Sequence, residues 1–149
     1  MKIDIQHILS GEDEVIVRYR EKTPKIKKIL EAIGSDDVKI CGKVGDETVC
    51  LVLDEILYIE TVDDKTFAYT ANDVVRLDGS LARLEEEVED ERVFRCSKSM
   101  IINIDKVLRL KALSSNRIDA TMINGEHIII SRTYASEFRR ILKGGRRER

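Results

Sequence analysis

The segment FRCSKSMIINIDKV, residues 94–107, joins a short basic stretch to an aliphatic run. Arg95 and Lys98 supply positive charge, and Ser97 and Ser99 supply short hydroxyl groups. Phosphate oxygens are bound by donors of this kind, whereas nucleophilic catalysis needs a nucleophile with its base. The composition favours a loop that binds phosphates, although an ordinary polar loop before a strand has the same composition.

Charge is distributed unevenly along the chain, whose formal net charge is −2. Residues 1–91 carry 12 Lys and Arg against 23 Asp and Glu, and residues 92–149 carry 14 against 5. A basic half of this kind indicates a polyanionic partner such as double-stranded DNA, and a solvated basic face without a partner is the alternative. The acidic half would repel a second stretch of DNA and so limit non-specific attachment.

Length and composition predict one globular domain with a small attachment, since the chain has 149 residues and 42% hydrophobic residues. No apolar run has the length of a membrane span and Met1 is not followed by a signal-peptide pattern, so a cytoplasmic location is expected. Cys41, Cys50 and Cys96 form no C-x-x-C pair and are expected to be reduced thiols. Cys96 lies beside Arg95, so its oxidation is one way in which binding could be modulated.

The first 43 residues predict a strand–strand–helix unit. Alternating residues indicate two strands joined by a turn at residues 11–13; these are Ile3, Ile5, Val15, Val17 and Tyr19. Thr23 is expected to cap a helix that begins at Pro24 and ends near Gly34. One face of this helix is aliphatic and must be buried on its own chain or on a partner.

The remainder predicts mainly strands, with two helices and a basic tail. Strands are expected at residues 38–44, 48–53, 56–62, 66–70, 107–113, 117–123 and 126–131. An amphipathic helix is expected at residues 79–90, and a second helix is expected to begin after Ser131 and end at Gly144 and Gly145. Residues 144–149 are expected to form a disordered basic tail.

No enzyme, metal or cofactor site is predicted. His7 and His127 are the only histidines, and neither has cysteine or carboxylate partners at metal-ligand spacing. His127 falls in a predicted hairpin and is interpreted as a surface residue. Cys96 lacks the arginine that a thiol-phosphatase loop would place several residues later.

Several features together resemble the LytTR-type DNA-binding domain, a module of bacterial transcription factors. They are the basic segment 94–99, Asn103 inside the aliphatic run, and Ser131, Arg132 and Tyr134 after the last strand. The resemblance covers residues 44–142. It implies a mainly β fold, an elongated stack of small β-sheets with edge helices, preceded here by a small α+β unit of residues 1–43. That unit is too short for a receiver domain, so the resemblance is to stand-alone regulators.

The resemblance also implies which residues contact DNA, because the family inserts loops into successive major grooves of tandem direct repeats. The implied DNA-binding residues are Lys65, Thr66, Arg95, Ser97, Lys98, Ser99, Lys111, Arg132 and Arg139. Arg132 is expected to bond a guanine edge, and most of the others are expected to hold phosphates. Asn103 is interpreted as a structural residue. Ser97 and Lys98 stand where many members have histidine and arginine, so the base preference does not carry over.

These observations lead to two hypotheses about function. The first is a sequence-specific transcriptional regulator that binds double-stranded DNA. The alternative is an interaction or adaptor module that acts on a small membrane protein or another protein. In either case residues 1–43 either mediate a homodimer or pack on their own chain.

Overall fold

The computed structural model describes residues 1–34 and 39–144. It divides the chain into two compact units, Met1–Asp36 and Asp37–Arg149. The first unit contains helix α1, Pro24–Ala32, and Thr23 caps it as predicted because its hydroxyl oxygen accepts a hydrogen bond from the Ile26 amide at 3.2 Å.

The two strands predicted in the first unit are not formed. The described residues before Thr23 contain no strand, and aliphatic side chains such as Ile3, Ile5 and Leu9 are exposed. A two-stranded hairpin without a further strand or helix to cover its apolar face is only marginally stable in water. The alternation of apolar and polar residues was therefore not enough to predict these strands.

The second unit begins with a seven-stranded sheet in the order β2-β1-β5-β4-β3-β7-β6, in which all neighbours are antiparallel. The strands are β1 Lys39–Val44, β2 Glu47–Val52, β3 Tyr58–Val62, β4 Lys65–Tyr69, β5 Val74–Leu77, β6 Val93–Ser97 and β7 Met100–Asn103. Because β1 pairs with both β2 and β5, the sheet starts before the boundary expected at Val44. Strands β5, β6 and β7 were not among the strands expected from the sequence.

A second, three-stranded antiparallel sheet has the order β10-β9-β8. Its strands are β8 Val107–Leu113, β9 Arg117–Met122 and β10 His127–Ile130. Helix α2, Leu81–Glu87, precedes β6, and helix α3, Arg132–Leu142, follows β10. The mainly β fold expected from the sequence is thus confirmed. The expected start at Val38, the terminal Gly145 and the basic tail lie outside the described residues.

Two hydrophobic cores lie on opposite faces of β6 and β7. Val93 and Ile101 belong to a first core with α2, while Phe94 and Ile102 belong to a second core with α3 and the three-stranded sheet. Successive residues of a strand point to opposite faces, which explains this division. In the second core the rings of Phe94 and Phe138 lie 5.2 Å apart. The turn between β6 and β7 is therefore supported from both sides.

Asn103 has the structural role that the sequence predicted. It is buried, and its amide nitrogen donates to the carbonyl oxygens of Leu53 at 3.1 Å and Ile56 at 3.0 Å. Its amide oxygen accepts from the backbone amide of Asp105 at 3.1 Å. The side chain satisfies backbone groups that would be costly to bury unpaired.

The expectation that all cysteines are reduced is wrong for two of them. Cys41 in β1 and Cys50 in β2 stand directly opposite each other and form a disulfide bond. Cysteine spacing cannot reveal which strands pair, so the sequence did not indicate this bond. In the part of the chain that the structure describes, no helix has both the length and the apolar composition needed to cross a membrane.

Candidate nucleic-acid interface

The turn between β6 and β7 consists of only two residues, Lys98 and Ser99, and both are exposed. Arg95 and Ser97 were expected in a loop, but they belong to β6. The pairing with β7 shifts by one residue between them, which leaves Cys96 as the extra residue of a β-bulge. A bulge changes the direction of neighbouring side chains, and here it lies immediately before the turn.

Backbone hydrogen bonds tie this turn to two other parts of the second unit. The Cys96 carbonyl oxygen accepts from the Ser131 amide at 2.9 Å, where β10 passes into α3. The Ser99 carbonyl oxygen accepts from the Thr61 amide at 2.8 Å, near the end of β3. The turn, the start of α3 and the end of β3 are therefore close together.

Arg95 bonds to the turn rather than projecting from the surface. Its Nε donates to the Ser97 carbonyl oxygen at 2.7 Å, and its Nη2 donates to the Lys98 carbonyl oxygen. Its Nη1 donates to Glu85 Oε1 at 2.6 Å, which forms an ion pair with α2. All three guanidinium nitrogens have partners within the chain, so the expected contact of Arg95 with a phosphate is not favoured.

Arg132 is exposed at the first position of α3. Within residues 1–34 and 39–144 its side chain forms neither a hydrogen bond nor an ion pair. Ser131 is the N-cap residue, as predicted, although its side chain accepts no capping hydrogen bond. The N-terminal end of a helix carries partial positive charge, which adds to that of Arg132 in attracting an anion.

The β3–β4 turn contributes one accessible cation. Lys65 is exposed next to Asp63 and Asp64, whose φ angles of 51° and 62° are those that a type I′ hairpin turn requires. Thr66, which was expected to contact DNA, is only 3% exposed. Its hydroxyl donates to the Gly79 carbonyl oxygen at 2.9 Å, so it supports the turn from inside the fold.

Known proteins resemble this chain in sequence and in fold. Residues 46–143 match the LytTr DNA-binding domain family. The chain belongs to the LytTR family. A solved LytTr DNA-binding domain of a putative methyl-accepting/DNA response regulator from Bacillus cereus is 25% identical, with a TM-score of 0.66. That similarity covers 70% of this chain and 95% of the other.

Curated relatives with the name sensory transduction protein LytT are similar along most of the chain. The protein from Bacillus anthracis is 25% identical over 93% of this chain and 61% of its own length. The protein from Bacillus subtilis is 21% identical over 87% of this chain and 54% of its own length. The chain thus spans about 61% of the length of the first of these relatives.

Two other predicted contacts lie elsewhere in the LytTR domain. Lys111 is exposed in β8 opposite Asp119, about 10 Å from the backbone of β10 because two strand spacings separate them. Arg139 in α3 is half-buried, and its Nη1 donates to the side-chain oxygen of Asn116 in the β8–β9 turn. Neither Lys111 nor Arg139 takes part in the backbone hydrogen bonds around Lys98.

Glu85 is the site residue that the sequence analysis missed. It begins an acidic run that continues through Glu86 and Glu87, and such a run is typical of a solvated helix face. Leu81 and Leu84 of the same helix are buried, and Glu85 is one turn beyond Leu81. Helical periodicity could therefore have identified Glu85 as the carboxylate at the border of the buried face.

Cys96 is not the reactive thiol that was considered from the sequence. It is fully buried, and desolvation raises its pKa to about 12 despite the nearby Arg95. His127 is exposed, with Nδ1 3.0 Å from an Asp119 carboxylate oxygen, in agreement with its interpretation as a surface residue. Within the described ranges no group of three or more His, Cys, Asp or Glu side chains could hold a metal ion.

Proposed function

We propose that this LytTR protein is a sequence-specific transcriptional regulator that reads tandem direct repeats through loops in the major groove of double-stranded DNA. The observation that carries the proposal is the pair of backbone hydrogen bonds at the β6–β7 turn, from Ser131 to Cys96 and from Thr61 to Ser99. Through them the backbone segments next to Lys98, Arg132 and Lys65 are hydrogen-bonded to one another, and all three side chains are exposed. Exposed cations close together can neutralise neighbouring phosphates while one of them reaches a base edge.

In this proposal Arg132 is the residue that recognises a base, because its guanidinium group is exposed and can bond guanine O6 and N7 together. Lys98 reaches a base edge or a phosphate. Ser97, Ser99 and Lys65 hold the phosphate backbone. Thr66 and Arg95 support the site from within, and Lys111 and Arg139 contribute at most outer phosphate contacts.

Salt dependence of binding tests the proposal. The full chain is titrated with a duplex from the promoter upstream of its own reading frame, and with a scrambled duplex as control. If five or six phosphates are neutralised, log K falls against log salt with a slope of about −5. Lys98→Ala should make the slope less steep by about one. A slope near zero, or equal affinity for the scrambled duplex, would contradict the proposal.

An interaction role for residues 1–43 is proposed alongside DNA binding. The exposed aliphatic side chains of the first unit are suited to a protein contact, either with a second copy of the chain or with a small membrane protein. Two protomers on tandem repeats would each gain affinity from such a contact, because the first raises the effective concentration of the second.

A further inference from the structure

We propose that Glu85 is a positioning residue for DNA binding, which acts through Arg95 on the β6–β7 turn. The inference rests on the proposed function, because it assigns a role in that same site. Glu85 Oε1 accepts from Arg95 Nη1 at 2.6 Å, and Arg95 in turn bonds to the carbonyl oxygens of Ser97 and Lys98. The carboxylate thus contacts the cation that holds the turn, and it has no need to contact DNA.

The turn needs such support because of its backbone geometry. Two-residue hairpin turns usually have positive φ angles, which match the twist of the flanking strands. Among the described residues other than glycine, positive φ is found only at Asp63, Asp64, Ser115 and Asn116. Lys98 and Ser99 are not among them, so this turn lacks the conformation that closes a two-residue hairpin on its own.

Arg95 holds the turn in shape, and its positive charge also offsets the partial negative charge of two carbonyl oxygens at the surface. The carbonyl oxygens of Ser97 and Lys98 carry partial negative charge beside the expected phosphates. Both accept from the same planar guanidinium group, which fixes their relative orientation and offsets that charge. Without Arg95 these oxygens would be free to turn toward the DNA backbone and repel it.

Glu85 fixes the direction of the guanidinium group. It is carried by α2, which is anchored in the first core by the buried Leu81 and Leu84. The Arg95 and Glu85 side chains are 21% and 35% exposed, so the pair is more constrained than a fully exposed ion pair, whose two side chains move freely. The turn is thereby linked to a core on one face of the sheet, and to α3 on the other through Ser131.

When the Glu85 carboxylate is removed, a purely electrostatic effect and a positioning role predict opposite changes in DNA affinity. A negative charge near DNA weakens binding, so its neutralisation by Glu85→Gln should strengthen binding if charge alone matters. If Glu85 positions Arg95, the same substitution should weaken binding, because the turn loses its fixed shape. The sign of the effect therefore distinguishes the two explanations.

The experiment compares Glu85→Gln with Glu86→Gln in the full chain, by titration with the promoter duplex at one salt concentration. Glu86 is the neighbouring residue on α2 and is exposed, so its substitution removes the same charge without affecting Arg95. We expect Glu85→Gln to weaken binding roughly tenfold, and Glu86→Gln to leave it unchanged or to strengthen it by less than about twofold. Equal or tighter binding by Glu85→Gln than by Glu86→Gln overturns the inference.

Arg95→Lys changes the other partner of the Glu85–Arg95 ion pair. This variant is measured as well, because Glu85→Gln could weaken binding merely by lowering the melting temperature. Lysine retains the charge but cannot bond to two carbonyl oxygens and a carboxylate in one plane. Arg95→Lys should weaken binding with an unchanged salt slope, and adding Glu85→Gln to it should cause little further loss. Additive losses would contradict the inference.

Amide NMR spectra of the free protein provide a readout that does not depend on DNA. In Glu85→Gln the amide signals of Lys98 and Ser99 should shift, while the signals of the three-stranded sheet should stay in place. If the wild-type chain fails to bind the promoter duplex, the proposed function and this inference both fail. If it binds and the two Gln variants behave alike, only the role of Glu85 is wrong.

Discussion

Arg95 and Arg132 differ in how their guanidinium groups are bonded. Arg95 has all three of its guanidinium nitrogens bonded within the chain. Arg132 is exposed at the start of α3 and has no such partner among the described residues. The first can affect DNA only through the turn that it holds, whereas the second can bond a base directly.

Arg132→Ala should therefore reduce sequence specificity, whereas Arg95→Ala should weaken binding to all sequences alike. A bidentate contact to guanine contributes about 1–3 kcal/mol of discrimination at one base pair. Binding isotherms on the operator and on single-base variants of it measure both effects. If Arg132→Ala lowers the affinity of every duplex by the same factor, this arginine holds a phosphate and does not read a base.

Some of these roles could be predicted from the sequence at single residues, and others could not. Asn103 interrupts an aliphatic run, and a polar group in such a run must have hydrogen-bond partners, so its structural role was predictable. Thr66 is buried together with Ala68 on one face of β4. The sequence did not indicate this, because the larger apolar residues Phe67 and Tyr69 alternate with them. The bonding of Arg95 depends on which carboxylate of α2 is beside β6, and a single sequence does not specify that.

At the scale of elements, the strands expected from alternation are formed in the second unit and not in the first, and β6 was not expected. Its sequence VFRCS mixes aromatic, charged and hydroxyl residues, and the bulge at Cys96 disturbs the two-residue period. The same limit applies to the disulfide, since the pairing of β1 with β2 in one register, and not cysteine spacing, brings Cys41 opposite Cys50.

A thiol titration tests the disulfide and the burial of Cys96 together. Without reductant, a chromogenic disulfide reagent at pH 8 should find no reactive thiol in the native chain and one in denaturant; after reduction in denaturant it should find all three cysteines. The native Cys96 thiol is protected because burial raises its pKa to about 12. A native thiol that reacts at once, or three thiols without reductant, would contradict the structure.

The raised pKa of Cys96 also makes the stability of the fold depend on pH. Burial raises the pKa of Cys96 in the folded chain above its ordinary value of 9.0. The folded state is therefore stabilised relative to the unfolded state while the thiol is neutral. This contribution is fully present below pH 9 and is lost as the pH rises toward 12. Native protection of the thiol should accordingly weaken only in strongly alkaline solution.

At the scale of the whole molecule, the charge distribution indicated a kind of partner but no architecture. The basic residues of the C-terminal half already indicated a polyanion. Bringing the backbones next to Lys98 and Arg132 together requires the β6–β7 pairing and the hydrogen bond from the Ser131 amide to the Cys96 carbonyl oxygen. Periodicity identifies individual strands, but their order in a sheet depends on long-range contacts, so the expected architecture came from resemblance to the LytTR family.

The first unit gives the last prediction, which concerns self-association. Ile3, Ile5 and Leu9 are 75%, 89% and 95% exposed, and exposed aliphatic side chains this close in sequence are suited to a protein contact. We expect the full chain to dimerise at micromolar concentration and to fill two direct repeats cooperatively.

The test compares sedimentation of the full chain with a variant that lacks residues 1–36. The deletion ends there because β1, Lys39–Val44, is part of the sheet and must be kept. The shorter chain should be monomeric and should bind each half-site independently, with unchanged affinity for a single half-site. Ile5→Asp in the full chain is the matched point variant, and it should abolish the dimer without shortening the chain. If the full chain is also monomeric and fills both repeats without cooperativity, residues 1–36 do not mediate self-association.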